Sequence, residues 1–452
     1  MQFELTKEYI DQLQENIEKN DEVATFEMVK DLHPADIAEI YDELSIDEAR
    51  FIHVMLDPED AADVLVELEE DDRERFLKVL PSEVIAKQFI EKLDSDDAAD
   101  VIGELSEEKQ EEVLSHIGDL EQAGDIVDLL NYDEDTAGGL MAKELITVNE
   151  NWTIMTCLKE MRKQAEDIDE VYYVYVIDDN EVLKGTLSLK KLLLTSTNRK
   201  IANIINTDVI SVKTDTDSEE VANIMDKYDL VALPVVDTLN RLLGRITIDD
   251  VVDVIREEAE RDYQLVSGIT QDVESSDSAW VLTRARIPWL FIGLFGGIIA
   301  ALVMGVYEVD LGVNPKMAFF IPLIAAMGGN VGVQSSSIIV QALASNSMGF
   351  EGIGRKLLKE LGVATINGVI LSSAIFAYNY FFSDSFILTI TVSTALFSVI
   401  VFASMFGTLV PMLLDKFKID PALATGPFIT TVNDIFGLFL YLMIGRAFFA
   451  LF

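Results

Sequence analysis

Asp434 stands inside the apolar C-terminal third of the sequence, in the run Pro427-Phe-Ile-Thr-Thr-Val-Asn433-Asp434-Ile-Phe-Gly437. An ionisable group in such surroundings is costly, so its presence marks a functional position. Thr430, Thr431 and Asn433 add hydroxyl and amide oxygens nearby in sequence. A second polar cluster interrupts another apolar run: Pro322-Leu-Ile-Ala-Ala-Met-Gly328-Gly329-Asn330-Val-Gly332-Val-Gln334-Ser-Ser-Ser. Its small residues allow helices to approach closely, and Asn330 and Gln334 suit a water-lined path. Ser335–Ser337 suit either such a path or hydrogen bonds between helices. Carboxylate, hydroxyl and amide oxygens together are ligands for hard cations. Softer metals would call for thiolates or imidazoles. The chain has one cysteine, Cys157, and three histidines, His33, His53 and His116, none of them in this third. Magnesium sheds its water reluctantly, so a pore for it would bind the hydrated ion. In a dimer, two copies of Asp434 would meet at the axis as an acidic ring of the kind that selects cations.

The elements that must carry these residues are membrane spans. A span needs about 20 mostly apolar residues. Runs 287–307, 317–350, 361–383 and 385–414 are uncharged, and 421–445 holds one charge, Asp434. Five spans follow, at 287–307, 317–342, 357–382, 386–414 and 421–449, with a loop around Ser345–Met348. Arg284 and Arg286 precede the first span, Arg355, Lys356 and Lys359 lie in the second loop, and Lys416 and Lys418 in the fourth. The first and third loops offer only Lys316. Positive residues mark the cytoplasmic side. The N-terminal part is therefore expected in the cytoplasm and the short C-terminus outside. Five such runs are too many for the core of a soluble protein.

The rest of the chain has the opposite character. The net charge is −45, yet residues from Arg284 onward hold 9 Lys/Arg against 8 Asp/Glu. Residues 1–283 hold 25 Lys/Arg against 71 Asp/Glu. Such self-repulsion swells a compact domain unless counter-ions relieve it, and no basic patch is present to meet the phosphates of a nucleic acid. A single cysteine rules out an internal disulfide. The opening MQFELTKEYIDQLQEN has no apolar run behind basic residues, so no cleavable signal peptide is expected.

Residues 1–135 read as helices with a recurring pattern: Pro34-Ala-Asp-Ile-Ala-Glu-Ile, Asp60-Ala-Ala-Asp-Val-Leu-Val-Glu-Leu68 and Asp97-Ala-Ala-Asp-Val-Ile-Gly-Glu-Leu105. This pattern predicts a short superhelical stack of helix pairs, with Asp60 and Asp97 suited to helix N-caps. Residues 136–250 change period. Each half has a short strand (Leu145–Val148; Val209–Val212), an amphipathic helix (153–164; 217–227), a strand (Val171–Ile177; Leu230–Val236), a turn and a further strand. This arrangement resembles a tandem pair of cystathionine-β-synthase-type (CBS) domains, a Bateman module. The second copy ends Gly244-Arg-Ile-Thr247-Ile-Asp249-Asp250, matching the module's pattern in which the hydroxyl meets a phosphate and the acid a ribose. Gly244, Thr247 and Asp250 are thereby candidates for ATP or another adenine nucleotide. The first copy reads Gly185-Thr-Leu-Ser188-Leu-Lys190-Lys191, with lysine where the acid belongs. One nucleotide site and a ligand-free structural module both fit. Residues 248–270 form an acidic amphipathic helix leading into a 251–283 connector, and 284–452 hold the spans.

The order of these parts, with Gly-Gly-Asn330-x-Gly-x-Gln334 in span two and Pro421-Ala-Leu…Thr430-Thr-Val-Asn-Asp434 in span five, resembles the MgtE family of magnesium transporters over essentially the whole chain. The resemblance implies a mainly α membrane protein: a homodimer in the cell membrane, with a pore on the dimer axis lined by spans two and five. It implies Asp434 as the pore's ion-binding acid, with Asn433, Thr430 and Asn330 around it. It further implies that cytosolic Mg2+ bridges the acidic domain, the CBS pair and the connecting ("plug") helix and holds the pore shut. Facing carboxylates repel when bare and are joined by a divalent ion. The acids assigned to that sensor are Asp97 and Asp100, Glu219 and Asp229, Asp250, Asp253, Glu258 and Asp262, with Asp420 at the foot of span five. Arg256 and Arg261 in the connecting helix weaken some of these sites. The alternative is a secondary transporter of another divalent cation such as Co2+ or Mn2+. No nucleophile–base pair, phosphate loop or metal-protease motif suggests an enzyme.

Overall fold

The computed structural model describes residues 3–165, 168, 171–271, 273, 278–344, 352–383, 385–424 and 426–451. The expected loop around Ser345–Met348 and part of the 251–283 connector lie outside these residues. The chain divides into two compact units, Met1–Arg256 and Glu257–Phe452.

The first unit opens with short helices: α1 (Lys7–Glu18), α2 (Glu22–Val29), α3 (Pro34–Asp42), α4 (Ile46–His53), α5 (Pro58–Val66), α6 (Glu70–Lys78), α7 (Ser82–Gln88), α8 (Ser95–Gly103), α9 (Glu107–His116) and α10 (Leu120–Leu129). Local signals account for their starts. Pro34 and Pro58 sit at first helical positions, where a missing N–H costs nothing. Ser45 and Glu48 make a reciprocal capping box on α4. The recurring pattern falls on α3, α5 and α8, but the cap lies one turn earlier than expected. Asp57 and Asp94 are the N-cap residues, while Asp60 and Asp97 sit inside the first turn. There the positive end of the helix dipole favours their carboxylates.

Two copies of one strand–helix–hairpin unit follow. The first is β1 (Ile146–Asn149), α11 (Ile154–Gln164), β2 (Val174–Ile177), β3 (Leu183–Leu187) and α12 (Leu189–Leu194). The second is β4 (Val212–Lys213), α13 (Ser218–Tyr228), β5 (Ala232–Val236), β6 (Leu242–Thr247) and α14 (Ile248–Ser267). In each, the first strand runs parallel to the second and the second antiparallel to the third. Val174 faces Leu187 in one copy as Leu233 faces Ile246 in the other, and both hairpins shift register before their last pair. The α3–α8 helices and the second copy share one core, in which Ile40, Leu65, Ile85 and Val101 join Val221, Leu233, Ile246 and Val251.

Among its described residues, the second unit takes in the end of α14 and five helices long and apolar enough to cross a membrane. In chain order these are α15 (Ala279–Val306), α17 (Ile321–Ala344), α18 (Ile353–Phe382), α19 (Phe386–Lys416) and α20 (Gly426–Leu451), with a short α16 (Glu308–Val313) after α15. Helices α15 and α18 begin before the charge-free runs, because helical hydrogen bonding continues into polar interfacial residues. Helix α20 starts later than expected, since residues 421–424 form a separate 3-10 turn. Helix α19 is the most enclosed and packs against α17, α18 and α20. The Tyr441 hydroxyl donates to the Met317 carbonyl at 2.8 Å, tying α20 to the turn before α17.

Candidate metal sites

Three of the acids assigned to a sensor are brought together in the first unit. Asp97 and Asp250 line one small polar cavity with Asp94, Asp96, Asp249, Arg245 and Thr247. Asp100 is one helical turn beyond Asp97 on α8. Burial, with the Asp250 and Asp100 charges nearby, pushes the Asp97 carboxyl up to about 7. Burial likewise pushes Asp100 up to about 7, against the opposing pull of Arg73. Asp96 is driven well above the usual carboxylate range by burial and by the charges of Asp97 and Asp250. Asp250 is raised by burial even though it accepts hydrogen bonds from the Thr247 amide (3.1 Å) and hydroxyl (2.7 Å). Carboxylates that resist ionising together are stabilised by a divalent cation, whose charge reverses the repulsion.

Sequence reasoning missed Asp94, Asp96 and Glu144, whose carboxylate oxygens come within 4.8 Å of one another. Ser95 positions Glu144. Its hydroxyl donates to one carboxylate oxygen at 2.8 Å and its amide to the other at 3.2 Å. The signal was hidden because acids are abundant throughout residues 1–283, and Glu144 is far from α8 in sequence. Two arginines enter the same neighbourhood. Arg73 binds Glu104 through its Nε at 2.9 and 3.0 Å, and the Arg245 guanidinium stands 4.0 Å from Asp94.

Other assigned acids are placed differently. Glu219 lies in the first turn of α13, and Asp229 caps its other end in the left-handed conformation (φ 51°), so one chain does not pair them. Asp253 lies 4.0 Å from Arg256 and Glu258 3.5 Å from Arg261, each three residues along α14. Asp262, half-buried, and Asp420 stand close enough in the second unit that the Asp420 charge adds to burial in raising the Asp262 carboxyl. Asp420 itself accepts from the Ala422 amide at 2.8 Å, shaping the turn that enters α20.

The end of α14 interlocks with the start of α20. Gly268 has φ +81°, and a Cβ there would lie 2.6 Å from the Pro427 ring. Gly426 has φ +49°, and a Cβ there would overlap the Val266 carbonyl oxygen. Only glycine meets both demands at both positions.

The pore candidates lie where α17 meets α20. A Cβ on Gly329 would sit 3.5 Å from the Thr430 methyl and 3.7 Å from Asp434 Oδ1, so the missing side chain lets α17 lie directly against the Thr430–Asp434 step. The Thr430 hydroxyl donates to the Gly426 and Pro427 carbonyls, both at 3.1 Å, which leaves its lone pairs available. Asn330 and Gln334 fall on one exposed face of α17, while Gly328, Gly329, Val331 and Gly332 are buried. Asn433 is fully buried, with its amide against Gly332, so it is enclosed between the helices while its neighbour Asp434 is only partly covered. Gly332 also receives Gly407 of α19 in close backbone contact.

Asp434 was expected to be the only acid deep in this third. The structure adds a partly buried carboxylate, Glu360, two turns into α18 and just before its charge-free run. It accepts from Ser335 of α17 at 2.7 Å and from Ser404 of α19. It falls at the edge of the expected 357–382 span and escaped notice because it directly follows the charged Arg355–Lys359 stretch.

For the nucleotide, the donor set decides. Gly244 is packed under the Met141–Ala142 segment, where a Cβ would lie 2.7 Å from the Ala142 carbonyl. Thr247 and Asp250 bond each other and face Asp94, Asp96 and Asp97. The carboxylates of this cavity repel bare phosphates and attract cations, while Arg245 and Tyr172 also line it.

Comparisons with known proteins agree with this layout. The sequence model of MgtE, a divalent cation transporter, matches residues 321–444. The MgtE intracellular N domain matches residues 32–135, and the CBS domain residues 137–196 and 201–257. The magnesium transporter MgtE of Thermus thermophilus is 34% identical over 437 residues, 96% of this chain and 97% of the relative. The magnesium transporter MgtE of Enterococcus faecalis is 36% identical over 329 residues, 73% of this chain and 72% of the relative. Among solved structures, the cytosolic domain of the Mg2+ channel MgtE in complex with ATP superimposes with a TM-score of 0.51 at 36% identity, over 54% of this chain and 99% of that one. With helical N-domain, CBS pair and membrane helices all matched in order, the chain belongs to the MgtE family of divalent cation transporters.

Proposed function

We propose that this chain conducts Mg2+ through a pore built on Asp434 and is closed by Mg2+ bound at its acidic cytosolic domains. The observation that carries the pore reading is the exposed face of α17 bearing Asn330 and Gln334, beside the step at which Gly329 lies against Asp434. Polar side chains facing lipid would be unsatisfied, so this face suits water or a second copy of the chain. A homodimer with α17 and α20 at its axis meets both demands. It gathers two copies of Asp434, with the Thr430 hydroxyls and Asn330 amides, around a hydrated ion. Relatives named magnesium transporters favour Mg2+ over the Co2+ or Mn2+ alternative.

The protein is a membrane transporter with five candidate spans. We place the acidic domains in the cytoplasm of the cell and the C-terminus outside, following the positive residues Arg284, Arg286, Arg355, Lys356, Lys359, Lys416 and Lys418. Closure is read from two features. The cavity around Asp97 and Asp250 gathers carboxylates that only a cation reconciles, with Asp100 one turn away. The Gly268–Gly426 interlock fastens the connecting helix to the pore helix. Asp262 and Asp420, beside that interlock, offer a further shared ion, and Glu258 and Asp253 line the same helix. Glu219 and Asp229, at opposite ends of α13, serve only if a second copy of the chain completes each site.

An adenine nucleotide is a secondary ligand of the CBS pair, by analogy with the relative solved with ATP. At Thr247 and Asp250 it is admitted only with the divalent ion that offsets the surrounding acids. The test of the main reading is Mg2+ entry into liposomes carrying the full chain. Entry driven by membrane potential alone supports a channel. Entry that requires a gradient of a second ion identifies a coupled transporter instead.

A further inference from the structure

We propose that Glu360 is a positioning residue for the pore, clamping the polar helix α17 in register against α19. This rests on the reading that α17 lines the pore. One oxygen of the Glu360 carboxylate accepts from both Ser335 of α17 (2.7 Å) and Ser404 of α19. The two hydroxyls stand 3.0 Å apart, and both serines are buried, at 6% and 2% exposure. Three helices therefore meet at one carboxylate.

The chemistry explains why an acid is kept there. A serine in an apolar helix ordinarily satisfies its proton on its own backbone, one turn back, as Ser393 does on Thr389. Such a bond fixes nothing between helices. A carboxylate oxygen has enough lone pairs to draw two hydroxyls away from that local option at once. Carboxylates in spans are expensive, so one spent on two serines points to a demand for precise helix placement. That demand is next door. Ser335 follows Gln334 directly and lies three residues after Gly332, the residue wedged between Asn433 of α20 and Gly407 of α19. A glycine crossing alone sets how closely α17 approaches but lets it slide. The Glu360 clamp fixes its axial position and rotation, and so the direction in which Asn330 and Gln334 point.

The experiment compares E360A, E360Q and S335A with the parent chain and with D434A, all full-length, reconstituted in liposomes and checked for a single symmetric elution peak. Mg2+ flux and the Mg2+-to-Ca2+ flux ratio are read together. E360A should reduce Mg2+ flux several-fold and lower the ratio, because a rotated α17 presents the ion with a misplaced lining. E360Q, which keeps an acceptor oxygen, should recover most of both, and S335A should fall between. Parent-like flux and ratio in E360A, with D434A impaired, would overturn the clamp while leaving the pore reading intact. E360Q as defective as E360A would also overturn it, by assigning the effect to charge. An unimpaired D434A would overturn the pore reading and the clamp with it. If E360A does not assemble, E360Q and S335A still decide the question through the flux ratio.

Discussion

The two acidic regions of this molecule are built in opposite ways. Around α8 and the start of α14, carboxylates crowd together, and burial with mutual repulsion lifts Asp97 and Asp100 to about 7. At α20 a single carboxylate, Asp434, stands among glycines, a threonine and helix backbone. Many ligands close together hold an ion and are rearranged by it. One carboxylate per chain, flanked by neutral oxygens, attracts an ion without trapping it, which conduction requires. The difference supports the proposal of sensing at the first and passage at the second, with the Gly268–Gly426 interlock, inside the second unit, joining the end of α14 to α20.

The comparison breaks most sharply at Asp434. D434A should cut Mg2+ flux at least about tenfold if Asp434 forms the acidic ring that admits cations. Mg2+-dependent protection of the cytosolic domains from protease should persist. Loss of both would merge the two roles. The link comes next. G268A and G426A each force a side chain into a left-handed backbone and into a neighbouring residue, at a cost of order 1–3 kcal/mol. These variants should still bind Mg2+ in the cytosolic part, read by protease protection, but should close incompletely, read as residual flux at high cytosolic Mg2+.

A smaller effect sharpens the sensing side through pH. Ordinary aspartates titrate near 4, whereas Asp97 and Asp100 do so at about 7 in the folded domain. Between those values the folded state holds more protons than the unfolded one, so stability falls as pH rises through that window. The metal-free cytosolic part of the chain should therefore be more stable at pH 6 than at pH 8. Mg2+ replaces those protons, so its apparent affinity should weaken below pH 7, by about tenfold per pH unit for each proton displaced. Thermal melts with and without Mg2+ at the two pH values check both signs. A larger Mg2+ effect at pH 6 would contradict the assignment.

What was legible in the sequence follows the same physics. Asp434 was visible because an acid in a charge-free run has no other account. The CBS pair was visible because strand alternation and hairpin turns repeat. The sensor was only partly visible. Acids are so common in residues 1–283 that composition cannot say which meet, and Asp94, Asp96 and Glu144 converge through the packing of α8 on the segment before β1. Glu219 and Asp229 were assigned from the resemblance without a stated pairing, and the structure puts them at opposite ends of α13. Glu360 was masked by the basic residues before it, and only the three-helix junction reveals its partners.

The central claim, that Mg2+ at the α8–α14 acids closes a pore built on Asp434, is tested most directly by one flux measurement. Potential-driven Mg2+ flux through the parent chain and through D97N/D100N/D250N would be recorded while cytosolic-side Mg2+ is raised. The account predicts equal flux at low Mg2+, closure of the parent at millimolar-scale Mg2+, and a variant that stays open or needs at least about tenfold more Mg2+, the loss expected when charged ligands are removed from a divalent site. A triple variant that closes at the parent's concentration would contradict it.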